Sequence, residues 1–118
     1  MSTVAPVDDD RQRRLAQNEA LYREVNERVN DQTQRQALTL EEPGVYMCEC
    51  SNLDCTLRIE VPLSEYEAVR AFPRRFMVAA GHDIPEAETI VERAAGYWVV
   101  EKQDEAGKLA EQLDPRSR

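Results

Sequence analysis

At 118 residues the chain has the size of one domain. Its 23 acidic against 15 basic residues leave a formal charge of −8. That charge opposes nucleic-acid phosphate and an anionic membrane surface unless a local basic patch reverses it.

No apolar run approaches the roughly 18 residues that a membrane-spanning helix needs. The opening M-S-T-V-A-P-V-D-D-D has neither the basic region nor the apolar stretch of a secretory signal. The expectation is a cytoplasmic protein whose thiols stay reduced.

Residues 1–10 read as a flexible leader, with Asp8, Asp9 and Asp10 supplying negative charge at a helix start. From residue 11 to 36 there is neither Gly nor Pro. Leu15, Asn18, Tyr22, Val25 and Val29 recur at alternating spacings of three and four, with Leu21 beside them. This predicts an amphipathic helix with a thin apolar stripe, flanked by Arg14, Arg23, Glu24, Glu27 and Arg28. Glu19, Glu24 and Glu27 read as a solvated face. Asn18 stands where a polar residue fixes the register of a helix pair. Such a stripe packs on its own domain, on a second copy of the chain, or on a partner protein.

Glu41-Glu42-Pro43-Gly44 breaks the chain. Residues 45–50 and 56–63 then read as two strands around a knuckle, the second alternating with Leu57, Ile59, Val61 and Leu63 on one face. Ser64 opens a short helix with the capping-box pattern Ser64-x-x-Glu67, carrying Tyr66, Val69 and Phe72, and Pro73 stops it. Residues 76–78 form a third strand that ends at Gly81-His82. Residues 89–92 and 97–102 form a hairpin around Ala94-Ala95-Gly96, with Tyr97 and Trp98 on opposite faces. Residues 103–118 read as a polar tail with at most one helical turn near Leu109 and Leu113. The predicted class is α+β: the N-terminal helix over 11–36, then a compact domain over 45–102 with a small, mostly antiparallel sheet and one short helix.

Three cysteines and the single histidine dominate the chemistry. Cys48, Cys50 and Cys55 fall in C-E-C-S-N-L-D-C, and His82 ends A-A-G-H. Three thiolates and an imidazole complete a tetrahedral set for zinc, one ion per chain, with no position left open for chemistry. Residues i and i+2 of a strand face one side, so Cys48 and Cys50 can share an ion. Asn52 and Asp54 suit the turn that returns Cys55, and the small Ala79-Ala80-Gly81 lets His82 approach. A domain of only about 60 residues benefits from such a staple. An odd cysteine count also fits a metal better than a disulfide framework. The alternatives are free thiols, another thiophilic metal including an iron–sulfur cluster, or a thiolate–imidazole pair. There is no Ser-centred elbow and no Gly-rich phosphate loop, so no catalytic residue is assigned.

The cysteine run continuing to T-L-R-I-E-V-P-L-S-E-Y-E-A-V-R, then P-R-R-F-M-V-A-A-G-H and Y-W-V-V-E-K, resembles a family of small uncharacterised bacterial proteins. N-E-A-L-Y-R-E-V-N-E-R-V is similar to the stretch that precedes their cysteine hairpin. The likeness covers roughly residues 11 to 102. It implies a bacterial cytosolic protein in which Cys48, Cys50, Cys55 and His82 match the family's cysteine and histidine positions. It implies no activity.

The expected function is a non-catalytic zinc-binding interaction or regulatory module, engaging another protein or a second copy through its helix or sheet face. One alternative is a nucleic-acid-associated factor using Arg70, Arg74 and Arg75, which interleave with Phe72 and Phe76. The plainer reading makes both rings core anchors and pairs the arginines with Glu65 and Glu67. Another alternative is a thiol/zinc redox switch, in which oxidation releases the metal.

Overall fold

The computed structural model describes residues 9–117. The leader expected over 1–10 therefore lies, but for its last two residues, outside the described residues. The elements are α1 (Asp9–Gln36), β1 (Pro43–Met47), β2 (Arg58–Pro62), α2 (Leu63–Arg70), β3 (Arg75–Val78), β4 (Glu88–Ala94), β5 (Tyr97–Lys102) and α3 (Asp104–Gln112), closed by a 3-10 turn, Pro115–Ser117. This is the expected α+β class. Among the described residues no helix is long and apolar enough to cross a membrane.

The strands form two antiparallel sheets, β1–β2 and β3–β5–β4. In β1–β2, Tyr46 lies opposite Ile59 and both are buried, while Val45 lies opposite Glu60 on the outer face. Gly96 turns the β4–β5 hairpin at φ +88, a conformation that costs glycine little. Tyr97 enters the core beyond it and Trp98 stays half-buried. A bulge between Ile90 and Glu92 interrupts the β4 register. Tyr46, Ile59, Leu63, Tyr66, Phe76, Met77, Val78, Val99 and Val100 fill the core between the sheets and α2. The short helix begins at Leu63 after Pro62 and has no side-chain cap, so Ser64 does not act as the expected capping box.

Two sequence expectations are corrected. The most buried positions of α1 are Ala16, Glu19, Arg23, Asn26 and Asn30. From Ala16 onward this stripe is the expected one advanced by a residue, a rotation of about 100°. Tyr22 is still buried, whereas Leu15, Val25 and Val29 are only partly so and Leu21 is exposed. Polar side chains go inward because each meets a built partner. Glu19 pairs with Lys102, and Asn30 bonds both Tyr46 Oη (2.7 Å) and Glu67 Oε2 (2.7 Å). The Arg23 guanidinium donates to the carbonyls of Pro73 (2.8 Å) and Arg75 and lies 3.7 Å over the Phe76 ring. Glu27, placed on the solvated face by its sequence, binds Arg70 and Arg116.

The second correction concerns residues 103–118. Asp104–Gln112 is a helix, α3, that packs against α1 and buries Ala106, Gly107 and Ala110, with Gly107 close against the Lys102 carbonyl and the Arg74 side chain. The long N-terminal helix thus shares a core with the domain that follows it.

Lys102 lies between Glu19 and Glu88, with all three side chains fully buried. Burial pushes the Glu19 carboxyl well above its ordinary range; Lys102 opposes that rise and Glu88 adds to it. Burial pulls the Lys102 ammonium down, but the two carboxylates outweigh it and hold it above its usual value. Lys102→Met leaves two buried carboxylates without a cation and is expected to cost about 3–5 kcal/mol at pH 7. Because the folded Glu19 pKa exceeds the unfolded one, its contribution is intact in acid and declines as pH rises through the window between them. Glu19→Gln abolishes that decline. Urea unfolding from about pH 4.5 upward checks both, with wild type losing ground to Glu19→Gln as pH rises.

Candidate metal centre

The site forms where β1 runs out of ladder. Cys48 still donates its N–H to Leu57 O (3.0 Å), but the chain then leaves the strand. Asn52 organises the return: its side-chain oxygen accepts from Asp54 N (2.9 Å) and its carbonyl from Cys55 N (3.0 Å). His82 arrives on a separate turn, with His82 N on Ala79 O (2.9 Å) and Gly81 at φ +83. A positive φ at the third turn position is the type II geometry that glycine favours.

The sequence-predicted ligands do meet. The donor atoms of Cys48, Cys50, Cys55 and His82 all lie within 4.8 Å of one another. His82 Nδ1 stands 3.7 Å from both Cys48 Sγ and Cys55 Sγ. A tetrahedral ion with bonds of about 2.3 Å to sulfur and 2.0 Å to nitrogen needs edges of about 3.5–3.8 Å. The set therefore fits a metal ion after a contraction of at most about 1 Å. All three cysteines are free thiols and buried.

Burial raises the Cys48 and Cys50 thiols above their ordinary values, although backbone N–H groups partly offset it, Ala79 N lying 3.1 Å from Cys48 Sγ. Buried thiols of this kind ionise when a cation supplies the counter-charge, so metal uptake releases protons.

Glu49, between two ligands, was not singled out by its sequence. It is fully buried. Its carboxylate accepts from Met77 N (2.9 Å), Asn26 Nδ2 (2.9 Å) and Tyr66 Oη (3.0 Å), and its own N–H donates to Met77 O (2.8 Å). One residue thus gives the free edge of β3 the two bonds a neighbouring strand would make. The alternation that aims Cys48 and Cys50 one way aims Glu49 the other, toward α1 and α2. An acid at such a position reads as solvent-facing from sequence alone.

α1 holds the cysteine loop from behind. Asn18 Nδ2 donates to Ser51 O (2.9 Å), and Tyr22 Oη donates to Leu53 O (2.8 Å). Asn26 accepts from Met47 N (2.7 Å) and donates to Met47 O (2.8 Å). Asn18 thus bonds within the chain, to this loop.

The arginines of the basic cluster are each paired, though not with Glu65 or Glu67. Arg70 is buried between Glu27 (3.1 Å) and Asp114, Arg74 meets Glu111 (3.1 Å), and Arg75 meets Glu101 (2.9 Å) while lying over the Phe72 ring. Phe76 anchors the core as expected; Phe72 is 47% exposed. Phosphate would have to displace carboxylates already in place.

No protein-family model matches the chain, and no curated protein or solved structure matches it either.

Glu49→Ala strands the Met77 N–H, the Asn26 amide and the Tyr66 hydroxyl. We expect a loss of at least about 3 kcal/mol in denaturant unfolding, and a smaller one for Glu49→Gln, which keeps one acceptor.

Proposed function

We propose that this chain is a non-catalytic zinc-binding module whose metal is structural and whose rigid surface engages another protein. The observation that carries the reading is the convergence of three thiols and one imidazole, whose donor atoms all lie within 4.8 Å of one another. Zinc suits this soft, mixed donor set, and four protein ligands leave no vacant position for a substrate. The residues between and behind the ligands support a structural role. Glu49, Asn18 and Tyr22 join the ligand loop to three separate elements, so a metal here braces the whole fold.

The interaction role rests on what stays outside. Of the expected helix stripe only Tyr22 is fully turned inward, and Leu21 on α1, Leu53 and Leu57 around the cysteine loop and Val45 on β1 are each about half exposed. A partner protein is better served by these side chains than by the paired arginines.

Elemental mass spectrometry on protein purified without added metal is expected to give about one zinc per chain. Cys50→Ser is expected to lose the metal together with cooperative unfolding. Metal-free wild-type protein with an unchanged unfolding transition would sink the proposal.

A further inference from the structure

The four ligands are not held equally. Cys48, Cys50 and Cys55 sit on a platform fixed along its length by the Cys48–Leu57 ladder bond, the paired bonds of Glu49 to Met77, and the Asn18 and Tyr22 bonds to the carbonyls of Ser51 and Leu53. Asn52 closes the platform through Asp54 and Cys55. His82 is held by much less. Its backbone bond to Ala79 O is made across Gly81, and a Cβ placed on that glycine would meet nothing within 4 Å. A metal-bound histidine ordinarily donates its second ring nitrogen to a carbonyl or carboxylate, which fixes the ring. Here Nδ1 faces the thiols, and among the described residues Nε2 has no hydrogen-bond partner. His82 is also more exposed than the three cysteines.

We propose that His82 is a detachable fourth ligand, and that metal enters and leaves on its side while the three sulfurs stay in place. The inference rests on the metal-binding reading above and adds a direction and an order to it. In the step, the metal–Nδ1 bond breaks, the imidazole swings out on the Gly81 turn, and a water or an incoming donor takes the vacated position. No redox change is involved. The half-open state is a three-thiolate ion with one exchangeable site, which suits transfer of metal to or from a thiol or imidazole donor of another molecule.

The test uses the full chain loaded with Co2+, whose visible spectrum reports tetrahedral sulfur ligation, with EDTA as the acceptor. Wild type is expected to take up about one cobalt per chain. His82→Ala is expected to keep that stoichiometry and the folded circular dichroism while surrendering cobalt at least about tenfold faster. The double variant Asn18→Ala/Tyr22→Phe, which loosens the platform, is expected to release metal more slowly than His82→Ala. The reverse order of rates, or a folded His82→Ala that holds no cobalt, would overturn the proposal. Should His82→Ala not fold, amide exchange on loaded wild type decides: residues 79–83 must open before residues 50–55, and the opposite order overturns it. Failure of wild type to bind cobalt or zinc would remove the metal reading as well.

Discussion

The constraint on which the rest depends is the burial of one carboxylate between two metal-ligand candidates. A charge taken out of water needs its full complement of donors, and Glu49 finds three, on α1, α2 and β3. Those elements are therefore placed relative to one another by a single side chain. The same residue joins the two small sheets, neither of which is extensive enough to be rigid alone. Because Cys48 and Cys50 flank it, any tightening of the ligand set is transmitted to that junction. The centre and the core are one construction seen from its two faces.

The interior of α1 shows what the protein gives up for this arrangement. Glu19, Arg23, Asn26 and Asn30 occupy positions where a bundle helix would place leucines. Apolar replacements of similar volume often match or exceed the stability of buried ion pairs. What the polar set supplies is selectivity of docking. Each of these side chains meets a specific partner, an ammonium, carbonyl, hydroxyl or carboxylate, at this rotation and height of the helix. A greasy stripe would tolerate sliding; this one does not. The ligand loop, hung from Asn18 and Tyr22 on the same helix, inherits that precision.

Much of the site was legible in the sequence because its signal is chemical and short-range. Three cysteines within eight residues and a lone histidine after a small-residue run need no tertiary knowledge to be grouped. The strands were also legible, since Ile59 and Val61 alternate and Gly96 marks a turn. The facing of α1 was not. Hydrophobic periodicity points to the wrong meridian when the buried residues are polar, and the partners of Glu19 and Arg23, Lys102 and the Pro73 carbonyl, lie more than forty residues away. α3 was missed for a related reason. Its buried positions are Ala106, Gly107 and Ala110, and burial through small residues leaves little hydrophobic pattern to read.

The bulge in β4 has a bearing on life in a crowded solution. Strands with open edges recruit strands from other molecules, and a chain that sheds a stabilising ion is most exposed to that hazard. The three-stranded sheet offers little to recruit. Glu49 already occupies the β3 margin at Met77, and the opposite margin is broken at Val91 and carries the exposed Glu92 and Arg93. The molecule thus keeps this sheet to itself. Edge pairing onto the three-stranded sheet has no clean template on either side.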